Sequence, residues 1–390
     1  MLFLNAGNAL FKREYLPARK VPEARMVAEL IIEAYNRMGL DALNVGAYDL
    51  ALGVGELLRL RRKARFPFLS ANLRGTDGRL LFQPSAVFQV EGVRVGVIGL
   101  IENDLKRGHI PDADRFTVDD PYRAAERAVA DVRAKGADVV VVLTDMMERG
   151  CRRLARKGLP IQLIIGSARR NQITLPLQIG HTLVTHLDRG GKCLGQVDLW
   201  SSDVPGHPRG SRRMGPFLVR NTFVPLRVGS IPEHPGIAPL VAETLARVKQ
   251  FHERAVASRE PSPASECGRE FVGVRVCASC HPDRYAAWQK SPHAGAYATL
   301  EAKGRQYDPD CLACHAVAYE CTGGEVDRES LQRFAAVQCE SCHGPGAAHA
   351  RTEGRTPVGT ELVCPRCHTP DKSPDFDPRE HLRTACSPGP

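Results

Sequence analysis

Hydrophobic and polar residues alternate between helical and strand spacing along the first 230 residues. Apolar residues recur at helical spacing over residues 22–38, and Pro22 suits the first turn of the helix that this spacing predicts. Residues 138–143 and 161–165 are short apolar runs, which are typical of strands buried on both faces. Further helices are predicted over residues 56–63, 121–135 and 235–257, a strand over 42–45 and an extended segment over 67–73.

A hairpin is predicted where two strand patterns, residues 86–90 and 93–100, flank Glu91-Gly92. Asp119 and Asp120 stand where a side chain can accept hydrogen bonds from the first N–H groups of the next helix. The alternation of strands and helices predicts an α/β fold with two β-rich layers.

The pattern changes toward the C-terminus. Residues 258–267 are rich in Pro, Ser and Glu and predict a linker. Beyond Phe271 the periodicity fades while Gly, Cys and His become frequent, as expected where prosthetic groups fill the core in place of side chains. We therefore expect an α/β domain over residues 1–230, a helix and linker over 231–269, a small, mainly α domain over 270–380 and a tail over 381–390.

Four Cys-x-x-Cys-His motifs lie in this C-terminal segment. In such a motif both thiols attach to one haem, and the adjoining imidazole ligates its iron. A Cys-x-x-Cys pair alone also suits zinc or a redox dithiol, but histidine follows a cysteine by chance only about once in forty times. The motifs predict four covalently bound haem c groups, with paired zinc sites as the alternative. The attachment residues are Cys277, Cys280, Cys311, Cys314, Cys339, Cys342, Cys364 and Cys367, and the proximal iron ligands are His281, His315, His343 and His368.

The spacing of the motifs constrains how the haems pack. The motifs begin at residues 277, 311, 339 and 364, so little chain lies between one and the next. Segments this short cannot enclose four porphyrins separately. We therefore expect the haems to pack against one another.

Composition narrows the functional classes. The 390 residues carry a formal net charge of +9, spread along the chain without a nucleic-acid motif. Haem propionates would offset much of this charge, so nucleic acid is not a predicted partner. No apolar run is long enough for a transmembrane helix. Outside the motifs the cysteines are odd in number, so at least one is expected to be free or intermolecular: Cys151, Cys193, Cys267, Cys321 and Cys386.

Haem attachment also bears on location. In bacteria it takes place outside the cytoplasm, so a periplasmic or extracellular location is expected. Residues 1–7 have neither the basic region nor the long apolar stretch of a signal peptide. We therefore expect a leader that has been removed or that lies upstream.

Residues 272–377 resemble the cytochrome c-554 family of tetrahaem electron carriers. Besides the four motifs, the resemblance lies in residues 288–294 (Trp-Gln-Lys-Ser-Pro-His-Ala), 308–315 and 337–346. It implies haems stacked in close pairs with electrons passing between them.

The resemblance also indicates the second axial ligands of the irons. His293 lies in a Ser-x-His-Ala element that in relatives supplies a distal ligand to the haem of another motif. His349 follows Gly344-Pro-Gly346, and His381 stands near the chain end. Three distal ligands for four haems leave one iron five-coordinate, as in the family's own carriers, unless the N-terminal domain or a residue such as His252 completes it. An open iron is where a small molecule such as NO or nitrite would bind.

Residues 1–230 resemble the metallophosphatase domain of the 5′-nucleotidase and UDP-sugar hydrolase family. The match lies in the framework segments 4–8, 39–46, 67–73, 95–100, 141–144, 164–166 and 195–199. It implies a layered β-sandwich with flanking helices and, in relatives, two divalent metals at one edge of the sheets.

The visible metal-ligand positions of those relatives are substituted in this chain. Gly7-Asn8 replaces Gly-Asp, residues 46–49 (Gly-Ala-Tyr-Asp) replace Gly-Asn-His-Glu, and residues 143–145 (Leu-Thr-Asp) replace Leu-Thr-His. Gly-Gly-His-Ser-His is replaced by residues 166–170, and the usual first strand with Asp-x-His would lie before residue 1.

These substitutions predict that hydrolysis has been lost. Asp49 and Asp145 remain as oxygen donors, and we interpret them as solvated loop residues rather than as a dinuclear site. No divalent metal is expected in this domain. It is interpreted as a docking module or as an anion binder that uses Arg169 and Arg170.

Three functional hypotheses follow. The first is an extracytoplasmic electron carrier whose partners are redox proteins, either other cytochromes or a membrane quinol system. The second is a redox enzyme acting on a small nitrogen or sulfur species at a five-coordinate haem. The third is a metal-dependent 5′-nucleotidase-like phosphohydrolase to which haems have been added.

Overall fold

The computed structural model describes two compact units, residues 1–244 and residues 245–390. Within them the described residues are 1–105, 107–167, 176–187, 191, 193–201, 211–214, 216–226, 231–259, 270–359, 363–369, 372–373 and 375–378. Among these residues, no helix combines the length and the apolar character needed to cross a bilayer.

The first unit is built from layered β-sheets. One parallel sheet has the order β1 (Leu4–Asn5), β2 (Ala42–Asn44), β3 (Phe68–Leu69), and a two-stranded sheet pairs β4 (Leu73–Gly75) with β7 (Phe116–Val118). The largest sheet has the order β10-β11-β9-β8-β6-β5, formed by β5 (Ser85–Val90), β6 (Val93–Leu100), β8 (Val139–Thr144), β9 (Leu163–Ser167), β10 (Leu177–Ile179) and β11 (Thr182–Leu187). An antiparallel sheet has the order β12 (Cys193–Ser201), β14 (Phe217–Pro225), β13 (Arg212–Met214).

Helices flank these sheets: α1 (Val21–Met38), α2 (Gly53–Arg61), α3 (Pro121–Ala134) and α4 (Glu148–Ala155). α1 ends at Gly39, whose φ of 73° is left-handed and suits a helix C-terminus. At the start of α3 the Asp120 side chain accepts a hydrogen bond from the Arg123 N–H at 2.8 Å, so the predicted cap is confirmed. The predicted helices over 22–38 and 121–135 are therefore found almost where the sequence places them.

The predicted hairpin is also confirmed. Glu91 and Gly92 join β5 to β6 with φ of 48° and 86°, the pair of positive values that a two-residue type I′ turn requires. β6, β8, β9 and β11 run parallel in the centre of the sheet, and all six residues of β8 are buried. Two predicted boundaries differ. The helix expected over 56–63 begins earlier, at Gly53, and the extended segment 67–73 is divided between the short strands β3 and β4.

The described part of the second unit is mainly helical. The long α5 (Ala238–Ala257) begins in the last residues of the first unit and continues into the second. It is followed by α6 (Val274–Cys280), α7 (Pro282–Gln289), α8 (Ala296–Ala302), α9 (Pro309–His315), α10 (Val317–Cys321), α11 (Arg328–Phe334), α12 (Cys339–His343), α13 (Ala347–Arg351) and a 3₁₀ turn at Cys364–Arg366. Its core is a small apolar cluster around Leu312, Leu331 and Phe334. The α/β class of the first unit and the mainly α class of the second are both as predicted.

Candidate functional site

Each of the four motifs occupies one helical turn. The first lies at the end of α6, the second within α9, the third within α12 and the fourth in the 3₁₀ turn that begins at Cys364. Residues three apart in a helix lie on the same face, so the two thiols of each motif project together with the histidine next to them. Local backbone therefore supplies the geometry that two thioether bonds and a proximal imidazole need.

None of the eight motif cysteines forms a disulfide. Cys151 and Cys193 are also free thiols, whereas Cys321 is disulfide-bonded. The expectation of at least one free cysteine is thus confirmed, while Cys267 and Cys386 lie outside the described residues. The helices that hold the first and third motifs, α6 and α12, contact each other.

Two pairs of imidazole rings lie close together in the second unit. The ring centres of His281 and His349 are 5.9 Å apart with an angle of 24° between the rings, and those of His293 and His368 are 6.2 Å apart at 59°. Each pair joins a motif histidine to a distal candidate named from the sequence. His349 therefore faces the first motif, and His293 faces the fourth.

These separations fit a metal held between two rings. Metal–imidazole bonds of about 2 Å place the centres of two opposed rings about 6 Å apart. The donor set is also correct for haem iron, which is ligated by histidine in many cytochromes. The residues present therefore fit covalently attached haem.

Hydrogen bonds fix the orientation of four of the histidines. The Nδ1 atom of His349 lies 2.7 Å from the Thr356 carbonyl oxygen, and that of His368 lies 3.0 Å from the Ser373 hydroxyl. Similar contacts join Nδ1 of His315 to the Ala296 carbonyl at 2.8 Å and Nδ1 of His343 to the Gly359 carbonyl at 3.1 Å. An imidazole that donates through Nδ1 presents Nε2 with its lone pair to a metal.

His293 is held by the segment that precedes the third motif. Its carbonyl accepts a hydrogen bond from the Val337 N–H at 3.3 Å, and the indole N–H of Trp288 donates to the Val337 carbonyl at 2.8 Å. Burial lowers the pKa of His293, and the nearby His368 lowers it further. Its imidazole is therefore neutral at pH 7, which is the form that binds a metal.

The other predicted ligands are placed differently. His315 is half-buried on α9, and within residues 270–359 and 363–369 no histidine ring faces it. His252 is buried in α5 and packs edge-on against Phe251. His381 lies outside the described residues.

Sequence reasoning missed two buried polar residues beside the third motif. Glu340 is 2% exposed and Gln338 is 5% exposed, and both hydrogen-bond to backbone at the start of α6. Gln338 accepts from the Val274 N–H at 2.8 Å while its amide group donates to the Ala335 carbonyl at 2.8 Å. Glu340 is a variable position of its motif, so the motif pattern carried no signal for this role.

In the first unit, the phosphatase-like positions meet at the ends of the strands. Asp49 is fully buried, and both of its oxygens accept backbone hydrogen bonds. The N–H groups of Asn8 and Gly46 donate to Oδ2, and that of Leu10 donates to Oδ1, each at 2.9 Å. Burial nevertheless raises the pKa of Asp49 to about 6, because it outweighs these hydrogen bonds.

Asp145 also accepts backbone hydrogen bonds at both of its oxygens. It is fully buried, and it accepts from the Ala47 N–H at 2.8 Å and from the Glu102 N–H at 2.7 Å, one at each oxygen. Asn8 accepts from the Tyr48 N–H at 2.9 Å, and its amide group donates to the Ser167 hydroxyl at 3.1 Å. Through these hydrogen bonds, Asp49, Asp145 and Asn8 connect the ends of the strands to neighbouring loops.

The interpretation of Asp49 and Asp145 as solvated loop residues is therefore wrong. Both carboxylates satisfy backbone N–H groups that tertiary packing has removed from water, a demand that the sequence pattern does not reveal. Arg169 and Arg170, the predicted anion-binding residues, lie outside the described part of the chain.

Comparison with known proteins separates the two units. Residues 276–344 match the family described as cytochrome c554 and c-prime. Cytochrome c-554 of Nitrosomonas europaea is 29% identical over 135 residues, which are 30% of this chain and 56% of that protein. The family match covers the segment that holds the first three motifs.

The other relatives are phosphatase-like. The 5′-nucleotidase of Vibrio cholerae is 29% identical over 130 residues and protein UshA of Salmonella pullorum is 31% identical over 132, in each case 32% of this chain and 24% of the relative. The chain thus spans about half of the cytochrome relative and about a quarter of the 5′-nucleotidases.

Solved structures agree on the fold. The sulfate thiohydrolase SoxB of Thermus thermophilus superposes with a TM-score of 0.53 at 20% identity, covering 64% of this chain and 43% of that one. The calcineurin-like phosphoesterase YfkN of Bacillus subtilis gives 0.53 at 18% identity, covering 64% and 84%. The chain therefore joins a calcineurin-like phosphoesterase fold, similar to 5′-nucleotidases, to a C-terminal segment similar to the cytochrome c554 family.

Proposed function

We propose that this protein is an extracytoplasmic tetrahaem c-type cytochrome that carries electrons between redox protein partners. The carrier domain is residues 270–380. Residues 1–230 are a phosphatase-like scaffold that has lost hydrolysis, and residues 231–269 connect the two. Other cytochromes or a membrane quinol system would be the partners.

The observation that carries the proposal is the pairing of His281 with His349 and of His293 with His368. Two pairs at the spacing of a bis-histidine metal centre, each containing one motif histidine, are not expected from a zinc or dithiol domain. Zinc would instead gather four ligands of neighbouring Cys and His around one point.

The residues of the chain have defined roles in this function. The motif thiols would attach each haem covalently, and the haems would supply one-electron chemistry. The imidazoles of the two observed pairs would hold the irons. The ligating rings donate hydrogen bonds to the carbonyl groups of Thr356, Ala296 and Gly359 and to the Ser373 hydroxyl. These bonds keep the rings in place when the charge on the iron changes.

The loss of hydrolysis is supported by the substituted ligand positions and by the structural contacts of Asp49 and Asp145. A dinuclear site gathers several carboxylates, imidazoles and an amide around two metals. Each oxygen of both carboxylates already accepts a backbone N–H, and the position of the relatives' first aspartate is filled by Asn8.

A second candidate function is a redox enzyme acting on a small nitrogen or sulfur species. His315 favours it, because its Nδ1 is held by Ala296 while no described histidine ring faces it. A five-coordinate iron at the second motif would have an open face for such a ligand.

Spectroscopy of the purified full-length chain tests both redox functions. We expect a pyridine haemochrome assay to give four haem c per chain and electron paramagnetic resonance to show low-spin bis-histidine signals. Fewer than three haems, or zinc in their place, would overturn the cytochrome function. A high-spin signal that moves on addition of NO or nitrite, with turnover, would favour the enzyme; exclusively low-spin signals would remove it.

A nucleotidase assay tests the scaffold. We expect no release of phosphate from 5′-nucleotides or UDP-sugars with added manganese or zinc, while protein UshA treated in parallel serves as the positive control. Turnover that increases with metal and is lost in Asp145→Asn would contradict the loss of hydrolysis.

A further inference from the structure

Glu340, between the two cysteines of the third motif, is a buried carboxylate with three backbone donors. Its Oε1 atom accepts from the N–H groups of Val272 at 2.9 Å and Gly346 at 2.8 Å, and its Oε2 atom accepts from the Gly273 N–H at 2.8 Å. Only 2% of the residue is exposed. An anionic carboxylate accepts without donating, so it satisfies all three N–H groups at once.

The three donors belong to the two segments that carry one imidazole pair. Val272 and Gly273 immediately precede α6, which leads to His281. Gly346 immediately precedes α13, which carries His349. A single side chain therefore connects both halves of the pair whose ring centres are 5.9 Å apart.

We propose that Glu340 is a positioning residue that holds His281 and His349 at the separation at which both imidazoles bind one iron. This inference rests on the proposed tetrahaem function. Glu340 acts through the backbone before α6 and before α13. Such outer contacts orient metal ligands and are costly to lose.

Close packing around the carboxylate supports this role. A Cβ atom on Gly346 would lie 3.1 Å from Oε1 of Glu340, which is tighter than most Cβ contacts, so the backbone of this segment packs closely against the carboxylate. Gly273 has a φ of 79°, a left-handed conformation that aims its N–H at Oε2. α6 and α12 also contact each other directly.

Two substitutions of Glu340 change different properties of the side chain, its charge and its length. Glu340→Gln keeps the length of the side chain but turns an NH₂ group toward a backbone N–H and removes the charge. Glu340→Asp keeps the charge but is one methylene too short to reach both segments. Because the proposed role is positional, both should disturb the pair. Glu329→Gln, which removes an exposed carboxylate on α11, is the matched control.

The experiment uses the full-length chain with its haems attached. Electron paramagnetic resonance of the oxidised protein is recorded for the wild type, for these three variants and for His349→Ala, which identifies the signal of this pair. We expect Glu340→Gln and Glu340→Asp to shift or abolish that one low-spin signal and to leave the others unchanged. Glu329→Gln should match the wild type.

Each remaining outcome has a defined meaning. If Glu340→Gln keeps every wild-type signal and only lowers thermal stability, Glu340 is structural and the inference fails. If Glu340→Asp keeps every wild-type signal, the reach of the side chain does not matter, and the inference fails as well. If neither Glu340 variant accumulates with four haems, Gly346→Ala takes their place, and an unshifted signal there overturns the inference. If His349→Ala removes no low-spin signal, the axial pair and the proposed coordination are wrong instead.

Discussion

At the residue scale, one hydrogen bond can decide what a titratable side chain does. Nδ1 of His349 contacts the Thr356 carbonyl, which leaves Nε2 as the nitrogen available to a metal. Asp49 differs, because its carboxylate accepts hydrogen bonds from three backbone N–H groups. Hydrogen bonds thus orient an imidazole in one unit and hold a carboxylate in the other.

Asp49 should make the stability of the first unit depend on pH. Its pKa rises from 3.8 to about 6 on folding, mainly through burial, so the folded state binds the proton more tightly than the unfolded state. The stabilisation is therefore complete below about pH 4 and is lost as the pH rises through about 6. Relative to Asp49→Asn, the wild type should lose on the order of 2–3 kcal/mol of unfolding free energy across that window.

Urea unfolding of the holo protein between pH 4 and pH 7.5 measures this difference. It is followed by tryptophan fluorescence, to which Trp200 on β12 contributes from the first unit and Trp288 from the second. Asp114→Asn, which removes an exposed carboxylate, is the control. Parallel pH profiles for the wild type and Asp49→Asn would contradict the prediction.

At the element scale, β6 and β3 of the first unit approach each other so closely that their backbones are in contact. Gly99 on β6 donates to the Pro84 carbonyl and accepts from the Ala71 N–H at 2.8 Å, so it links β6 to the segment after β3. A Cβ atom at this position would lie 2.4 Å from the Leu69 carbonyl oxygen. The sheets therefore require glycine here for space rather than for backbone flexibility.

Gly99→Ala should consequently destabilise the first unit. Overpacking of this kind costs about 1–3 kcal/mol, because backbone atoms must move to admit the methyl group. Gly108→Ala, whose added Cβ would meet nothing within 4 Å, should change stability little. Chemical denaturation of both variants measures the difference, and equal midpoints would show that the sheets separate without cost.

At the scale of the whole molecule, the two units have different sources of stability. The first has several apolar clusters, among them one around Phe68 and Leu57 and one around Ile98 and Val142. The described residues of the second have a single small cluster around Leu312. We expect a domain this small with so little apolar core to depend on its prosthetic groups in order to fold.

Haem removal should therefore affect the units unequally. In the chain produced without haem attachment, a protease should degrade residues 270–380 while residues 1–225 persist. Limited proteolysis with mass spectrometry of haem-loaded and haem-free protein measures this, and the haem-loaded chain is the control. Equal resistance of the C-terminal unit in both forms would contradict it.

The sequence by itself determined the local chemistry of this protein. Attachment thiols and a proximal histidine fit within one helical turn, and the alternating apolar runs are enough to predict α1, α3 and the β5–β6 hairpin. Through a family resemblance it also predicted His293 and His349 as distal ligands, but it did not predict which motif histidine each one lies beside.

Only the tertiary structure decided which rings face each other. His281 meets His349 and His293 meets His368 through packing of segments distant in sequence, and no local spacing encodes such contacts. Tertiary structure also decided that Asp49 is a buried acceptor rather than a solvated residue, and that Glu340 links two helices. Burial creates the demand for these hydrogen bonds, and burial is a property of the folded chain rather than of any segment.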